Sequence, residues 1–192
     1  MTKKEEIKKE EAGKISIKEG IAWSLMEGFG NRYITPYALS IGSTNTQIGI
    51  LSSLPGLLGN IFQIPALHLI KNNSRKKIVF IAHLFQALIW IPIILIGFLY
   101  FFNYINSQIA SNLLIIIYSL FIIAGSTANP AWNSWMKDIL KANIGEYFGK
   151  RSRITNFVIT LSMLSAGIIL NFFGKEYAFK GFLIIFLIAF AG

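Results

Sequence analysis

Glu27 and Arg32 fall near the middle of an apolar block over 20–42, where charged side chains need a reason to be. An ionised group at the centre of a membrane-depth helix costs about 2.5–3.5 kcal/mol on insertion scales. Arg32 stands about ten residues from either end of the block, roughly 15 Å along a helix, too far for its side chain to reach water at the ends. Five positions apart on a regular helix, the two side chains diverge by about 140°, so a direct ion pair requires local unwinding. Gly28 and Gly30 make provision for it. Such charges either glue helices together or line a water-filled pathway for a charged solute. A block that starts later would leave both at the interface.

Asn31, Tyr33, Thr35, Pro36 and Tyr37 surround the pair, so this block is both polar and broken by glycine and proline. The block over 112–136 is similar: Gly125, Ser126, Thr127, Asn129, Pro130 and Asn133 interrupt an isoleucine-rich run. Interrupted helices at corresponding places in consecutive triplets of spans are how transporters with inverted repeats line a substrate site. His68 and His83 could shuttle protons, but no acid stands at helical spacing from either, which favours structural, hydrogen-bonded histidines. The run Gly145-Glu146-Tyr147-Phe148-Gly149-Lys150 is one residue short of a phosphate-binding loop and is followed by Arg151 where serine or threonine belongs. Metal-ligand clusters, paired carboxylates and nucleophile–base constellations are lacking, so the chain reads as no enzyme and needs no cofactor or metal.

The elements that position these residues follow from composition. The chain has 192 residues, 54% hydrophobic and 14% charged, with no cysteine, and its mean hydropathy is +0.56. Soluble domains carry about 25% charged residues, so this chain takes lipid as its solvent. The missing cysteines exclude disulfide frameworks, thiolate metal sites and cysteine nucleophiles. Hydropathy gives six apolar blocks, over 20–42, 47–70, 78–102, 112–136, 154–173 and 181–192. The last is too short to cross a hydrocarbon core about 30 Å thick, so the sixth span is expected to be truncated. Residues 1–18 form a lysine- and glutamate-rich head that reads as a flexible cytoplasmic tail and not a signal peptide; 19–192 form the membrane bundle.

The net charge of +9 is not a nucleic-acid signal, because the basic residues sit between apolar runs and not on one face. Six lysines lie in the head. Lys71, Arg75, Lys76 and Lys77 follow the second block, and Lys137, Lys141, Lys150, Arg151 and Arg153 follow the fourth. The alternate loops hold only Lys175 and Lys180, so the positive-inside rule places the N-terminus in the cytoplasm of a plasma-membrane protein. Tyr100, Phe101, Phe102, Tyr104, Trp132 and Trp135 stand at block ends, as either interfacial belts or ordinary packing.

Six spans, an inside N-terminus and basic loops after the second and fourth spans resemble the N-terminal half of a major facilitator superfamily transporter. The stretches that carry the resemblance are ITPYALSIGSTNTQIGILSSLPGLLG over 34–59 and NPAWNSWMKDILKANIGEYFGKRSRI over 129–154. It implies an all-α six-helix bundle, a secondary transporter working by alternating access, and a second six-helix half as partner. Glu27, Asn31, Arg32, Tyr33, Asn129 and Asn133 are then expected to line the cavity for a small solute, anionic or polyhydroxylated. The family's signature loop keeps its basic cluster here as Arg75, Lys76 and Lys77, while its acid and both glycines are lost. With Asp138 these form a candidate gating latch, the alternative being solvated loop charges. The fourth block lacks the arginine of many proton-coupled members, and the fifth the glycine–proline pattern of antiporters, so coupling ion and direction do not carry over. The rival reading is a small self-associating membrane protein, channel or scaffold, of five or six spans.

Overall fold

The computed structural model describes residues 3–140, 144–174 and 177–192, and among these all regular structure is helical. Helix α1 spans Lys3–Leu25. A π-helical turn, Met26–Gly30, and a 3-10 turn, Asn31–Tyr33, then lead into the short α2, Ile34–Ser40. The long helices follow: α3 Asn45–Asn72, α4 Arg75–Phe101, α5 Ser107–Leu140 and α6 Ile144–Phe173, with the shorter α7 over Ala178–Ala191. Helices α3 to α6 are each long and apolar enough to cross a membrane. The first block thus becomes a composite of α1, two tight turns and α2, and the sixth becomes α7, which together give a polytopic helical bundle.

Local chemistry sets the boundaries. Gly42 takes φ +78° and lets the chain leave α2. Thr44 then caps α3 through a reciprocal box: its hydroxyl accepts from the Gln47 backbone N–H while Gln47 Oε1 accepts from the Thr44 N–H at 3.0 Å. Asn103 ends α4 at φ 61°, and Asn106 Oδ1 accepts from the Ile109 N–H to open α5. Pro55, Pro65, Pro92 and Pro130 stand inside helices, which neighbouring helices make tolerable at membrane depth.

Two expectations change. The charged head is helical from Lys3 onward and not a flexible tail; Glu5 with Lys9, and Glu10 with Lys14, stand at the four-residue spacing that supports a helix. The fourth block is not interrupted either: α5 is one 34-residue helix that runs past Pro130. Lys141, in the loop after the fourth block, and Lys175, in the loop before the sixth, lie outside the described residues.

The core sits where α2, α4, α5 and α7 meet. Tyr37 is buried, donates its hydroxyl to the Ile93 carbonyl at 2.7 Å, and meets Phe186 edge-on at 4.9 Å. Trp90 packs between Phe121 and Phe186 at 5.5 and 5.2 Å. Large apolar side chains such as Phe80, Phe85, Leu88, Ile91 and Leu95 are turned outward on α4, as hydrocarbon solvent allows. At the C-terminal end of α4, Phe101 packs on Phe179 at 5.5 Å, so these aromatics also serve the packing of α7.

Candidate functional site

The π turn settles how Glu27 meets Arg32. A π turn closes its hydrogen bonds five residues apart, one more than an α turn, and the Asn31 N–H reaches the Met26 carbonyl across this one. That extra residue removes the divergence a regular helix would impose, and Arg32 Nε lies 2.9 Å from Glu27 Oε1. Gly28 and Gly30 matter here through closeness. A side chain at 28 would strike Ser162 and the Ile159 carbonyl of α6, and one at 30 would strike Trp90 and Ala189. The turn is therefore pressed between α6 on one side and α4 and α7 on the other.

Around the pair runs a chain of hydrogen bonds. Glu27 is buried; its Oε2 accepts from Asn31 Nδ2 at 2.7 Å, and Asn31 Oδ1 in turn accepts from the Tyr118 hydroxyl of α5. Both Glu27 oxygens and the Asn31 carbonyl are thus engaged. Arg32 is different: 53% of its side chain is exposed, while its Nε is held against Glu27. Beside this chain lies a cavity of about 220 Å³ between the first span, α3 and α5, lined by Asn31, Ile34, Thr35, Leu51, Ser52, Pro55, Gly56, Tyr118 and Ile122.

The six expected cavity residues do not form one site. Glu27, Asn31 and Arg32 stand together. Tyr33 leaves them, donating its hydroxyl to the Met163 carbonyl at 2.6 Å and tying the first span to α6. Asn129 and Asn133 lie eleven and fifteen residues beyond Tyr118 on the unbroken α5, roughly 16 and 22 Å along its axis. They line a separate cavity of about 140 Å³ with Glu19, Trp23, His83, Trp132 and Arg151. His83 Nδ1 is held by Gln86 Oε1 at 3.1 Å, and Gln86 Nε2 donates to the Phe121 carbonyl at 3.1 Å, so this histidine is anchored to the bundle. His68 lies exposed on α3.

Sequence reasoning missed two groups. Tyr118 stood as a lone phenol in an isoleucine-rich run, where a buried hydroxyl implies a partner. Arg151 was read only as an orientation charge, yet its Nη2 lies 2.9 Å from Glu19 Oε2 and its Nε donates to the Ser16 carbonyl at 3.4 Å. Its guanidinium also lies 4.3 Å from the centre of the Trp132 ring. It is seated against Gly20, where a methyl group would stand 2.9–3.0 Å from the guanidinium and make it shift. This one residue joins α1, α5 and α6.

Of the four residues expected in a latch, Arg75 and Asp138 meet. Arg75 forms an ion pair with Asp138 and also reaches the Ser134 carbonyl at 3.4 Å. Lys76 lines an apolar groove with Trp23, Val79 and His83, and Lys77 a different one with Leu69, Ile78 and Phe85. Neither of these two grooves gathers polar groups the way the Glu27 chain does.

Residues 21–191 match the family model described as Major Facilitator Superfamily. No curated protein and no solved structure matches the chain.

Proposed function

The chain belongs to the major facilitator superfamily and is a membrane transporter, and on that premise we propose that it is the N-terminal six-span half of a secondary transporter. Its members are transporters and not enzymes, and the solute moves by alternating access. The head and the α3–α4 link face the cytoplasm of the plasma membrane, as the distribution of lysine and arginine supports.

The observation that carries this reading is Arg32. Its side chain is 53% exposed although it stands inside an apolar block, where lipid offers a guanidinium no acceptor, so on this reading it faces a water-filled path. Glu27 and Asn31 hold it there, with Tyr118 behind them. Asn129 and Asn133 belong to the inner part of the same path. Arg75 with Asp138 is the gating contact.

The partner half is supported by two exposed helix faces. Gly49, Ser52, Gly56 and Asn60 share one face of α3; Ser152, Asn156 and Thr160 share one face of α6. Amides and hydroxyls at membrane depth are covered by other helices, and small residues let backbones approach. A second bundle seated on α3 and α6 would close the path that Arg32 faces.

The chain has no cysteine, so single thiols report on access directly. Thr35→Cys marks the outer part of the path and Asn133→Cys the inner part. Across variants that loosen the inner end, such as Asp138→Asn and Arg151→Ala, maleimide labelling should rise at one position while it falls at the other. A channel or a scaffold would show both rates rising together or neither changing, and either result sinks alternating access.

A further inference from the structure

We infer that the groove between α3 and α4 holds an acyl chain of an anionic phospholipid whose phosphate sits on Lys77. The inference needs only that the bundle lies in a membrane, and it stands apart from the solute path.

The groove exists because α3 and α4 both pack along α5 and scarcely on each other. Leu120, Ile123 and Ala124 of α5 form its floor, and Leu69, Ile81 and Phe85 its sides, around a volume of about 410 Å³. Leu69, Ile81, Phe85 and Leu120 are each close to half exposed. Thr127 also lines the groove, but it spends its hydroxyl proton on the Ile123 carbonyl of its own helix at 2.9 Å. The other polar groups collect at one end: Asn73, which closes α3, and Lys77, in the first turn of α4. Helix α4 is a membrane span that begins at Arg75, so this end lies at the interface. From Lys77 to Phe85 the groove runs eight residues, about 12 Å, into the hydrocarbon. A polar mouth at the interface above an apolar slot is the shape of a phospholipid.

Charge selects the headgroup. Over 45–140 the chain has a single acid, Asp138, and Arg75 pairs with it. Lys71, Lys76 and Lys77 of the α3–α4 link therefore have no acid from α3, α4 or α5 to balance them. Lys76 belongs to the neighbouring groove, whereas Lys77 is the exposed cation on this one. Basic residues beside membrane spans draw anionic lipid in preference to zwitterionic lipid.

Other occupants fit less well. Leu69 stands at least about 100° around α3 from each of Gly49, Ser52, Gly56 and Asn60, so a second bundle seated on that face leaves the groove uncovered. A helix of another copy would cross about 30 Å of hydrocarbon, far more than the length of this slot.

The test uses the intact chain in nanodiscs of phosphatidylcholine, doped with either phosphatidylglycerol or phosphatidylcholine that carries a photoreactive group in mid-chain. Peptide mapping locates the crosslinks. Phosphatidylglycerol should mark 78–85 and 120–127 about fivefold more than the zwitterionic probe, the preference that one lysine near an anionic headgroup supplies. Lys77→Gln should bring the two probes level, and Lys76→Gln should leave the preference in place. Soluble glycerol phosphate should not compete, because the headgroup without its chain has nothing to place in the slot. Equal marking by the two probes in the unaltered chain, a preference that survives Lys77→Gln, or one lost as fully in Lys76→Gln would overturn the inference. So would displacement by glycerol phosphate, or no marking at 78–85 and 120–127, which is the result a protein partner seated there would give.

Discussion

Arg32 Nε lies 2.9 Å from Glu27 Oε1 although five positions separate them, and the two ends of this ion pair live in different surroundings: 53% of the arginine side chain is exposed against 10% of the glutamate. Removing one partner is therefore not equivalent to removing the other. With Arg32 gone, a buried carboxylate keeps only Asn31, and an unpaired buried charge is costly. With Glu27 gone, the guanidinium is left more than half exposed and not buried. Arg32→Ala should lower stability by about 1–3 kcal/mol, and Glu27→Gln by less than half of that. Thermal unfolding of the purified variants checks the order, and the reverse order would place the burden on Arg32. If both variants fold yet neither supports uptake, the pair acts on solute; if membrane yield collapses, it is structural glue.

Tyr118 is the far end of the chain that fixes the pair. Its hydroxyl holds Asn31 Oδ1, which leaves the Asn31 amide to face Glu27. Tyr118→Phe keeps the ring stacked near Phe121 but frees the Asn31 side chain to turn over. The expected loss of stability is about 1 kcal/mol, the usual worth of one hydrogen bond. The loss of uptake should be larger than that figure converts to, because the orientation of Glu27 and hence of Arg32 goes with it. Uptake unchanged in Tyr118→Phe would show that Asn31 holds its orientation without help.

The hydropathy of the chain contains α3 to α6 almost in full, because each is a long apolar run and lipid leaves no other use for it. Glu27 and Arg32 were legible for the same reason: charges inside an apolar block are conspicuous, and the glycines beside them announced the unwinding. The helical head was not legible, since low hydrophobicity and mixed charge read alike for a disordered tail and a solvated helix. Nor was the division of the six cavity residues. Glycine, threonine and proline in the fourth block suggested a break, but the neighbouring helices support α5 straight through Pro130, which carries Asn129 and Asn133 away from Glu27. Tyr118 meets Asn31 across 87 positions and Arg151 meets Glu19 across 132. No local pattern encodes contacts of that span, which arise only when α5 and α6 close on the first span.

Gly30 tests the packing that holds the π turn. A methyl group there would run into the Trp90 ring and Ala189. Gly30→Ala should cost about 1–3 kcal/mol, as overpacking of a close-packed site does. Trp90→Phe added to it should return part of the loss by making room, although Trp90→Phe alone is destabilising. Additive losses in the double variant, measured by thermal unfolding, would mean that the turn yields elsewhere.

Arg75 and Asp138 are both open to water, Asp138 at 65%, so their ion pair should matter for access more than for stability. Exposed pairs contribute about 0–1 kcal/mol. Asp138→Asn should leave the melting temperature nearly unchanged while raising the labelling rate at Asn133→Cys, and the exchanged pair Arg75→Asp with Asp138→Arg should bring that rate back. A labelling rate indifferent to both variants would make these solvated charges with no gating role.

Arg151 makes the opposite prediction, because it is enclosed. It bonds Glu19 and the Ser16 carbonyl and lies over Trp132, so three elements lose a shared contact when it is removed. Hydrogen bonds to charged groups contribute about 1.5–3 kcal/mol, and a partly desolvated cation over tryptophan adds to that. Arg151→Lys should not rescue Arg151→Ala, since one ammonium cannot serve the Nε and Nη2 directions together. Gly20→Ala presses on the same contact from the other side: its methyl would stand 2.9–3.0 Å from the guanidinium, which must shift to make room while its charge stays in the protein. Both variants should lower the melting temperature and raise labelling at Asn133→Cys. Gly20→Ala combined with Arg151→Ala should be no worse than Arg151→Ala alone, because the seat is then empty. A further loss in that double variant would show that Gly20 is needed for something other than Arg151.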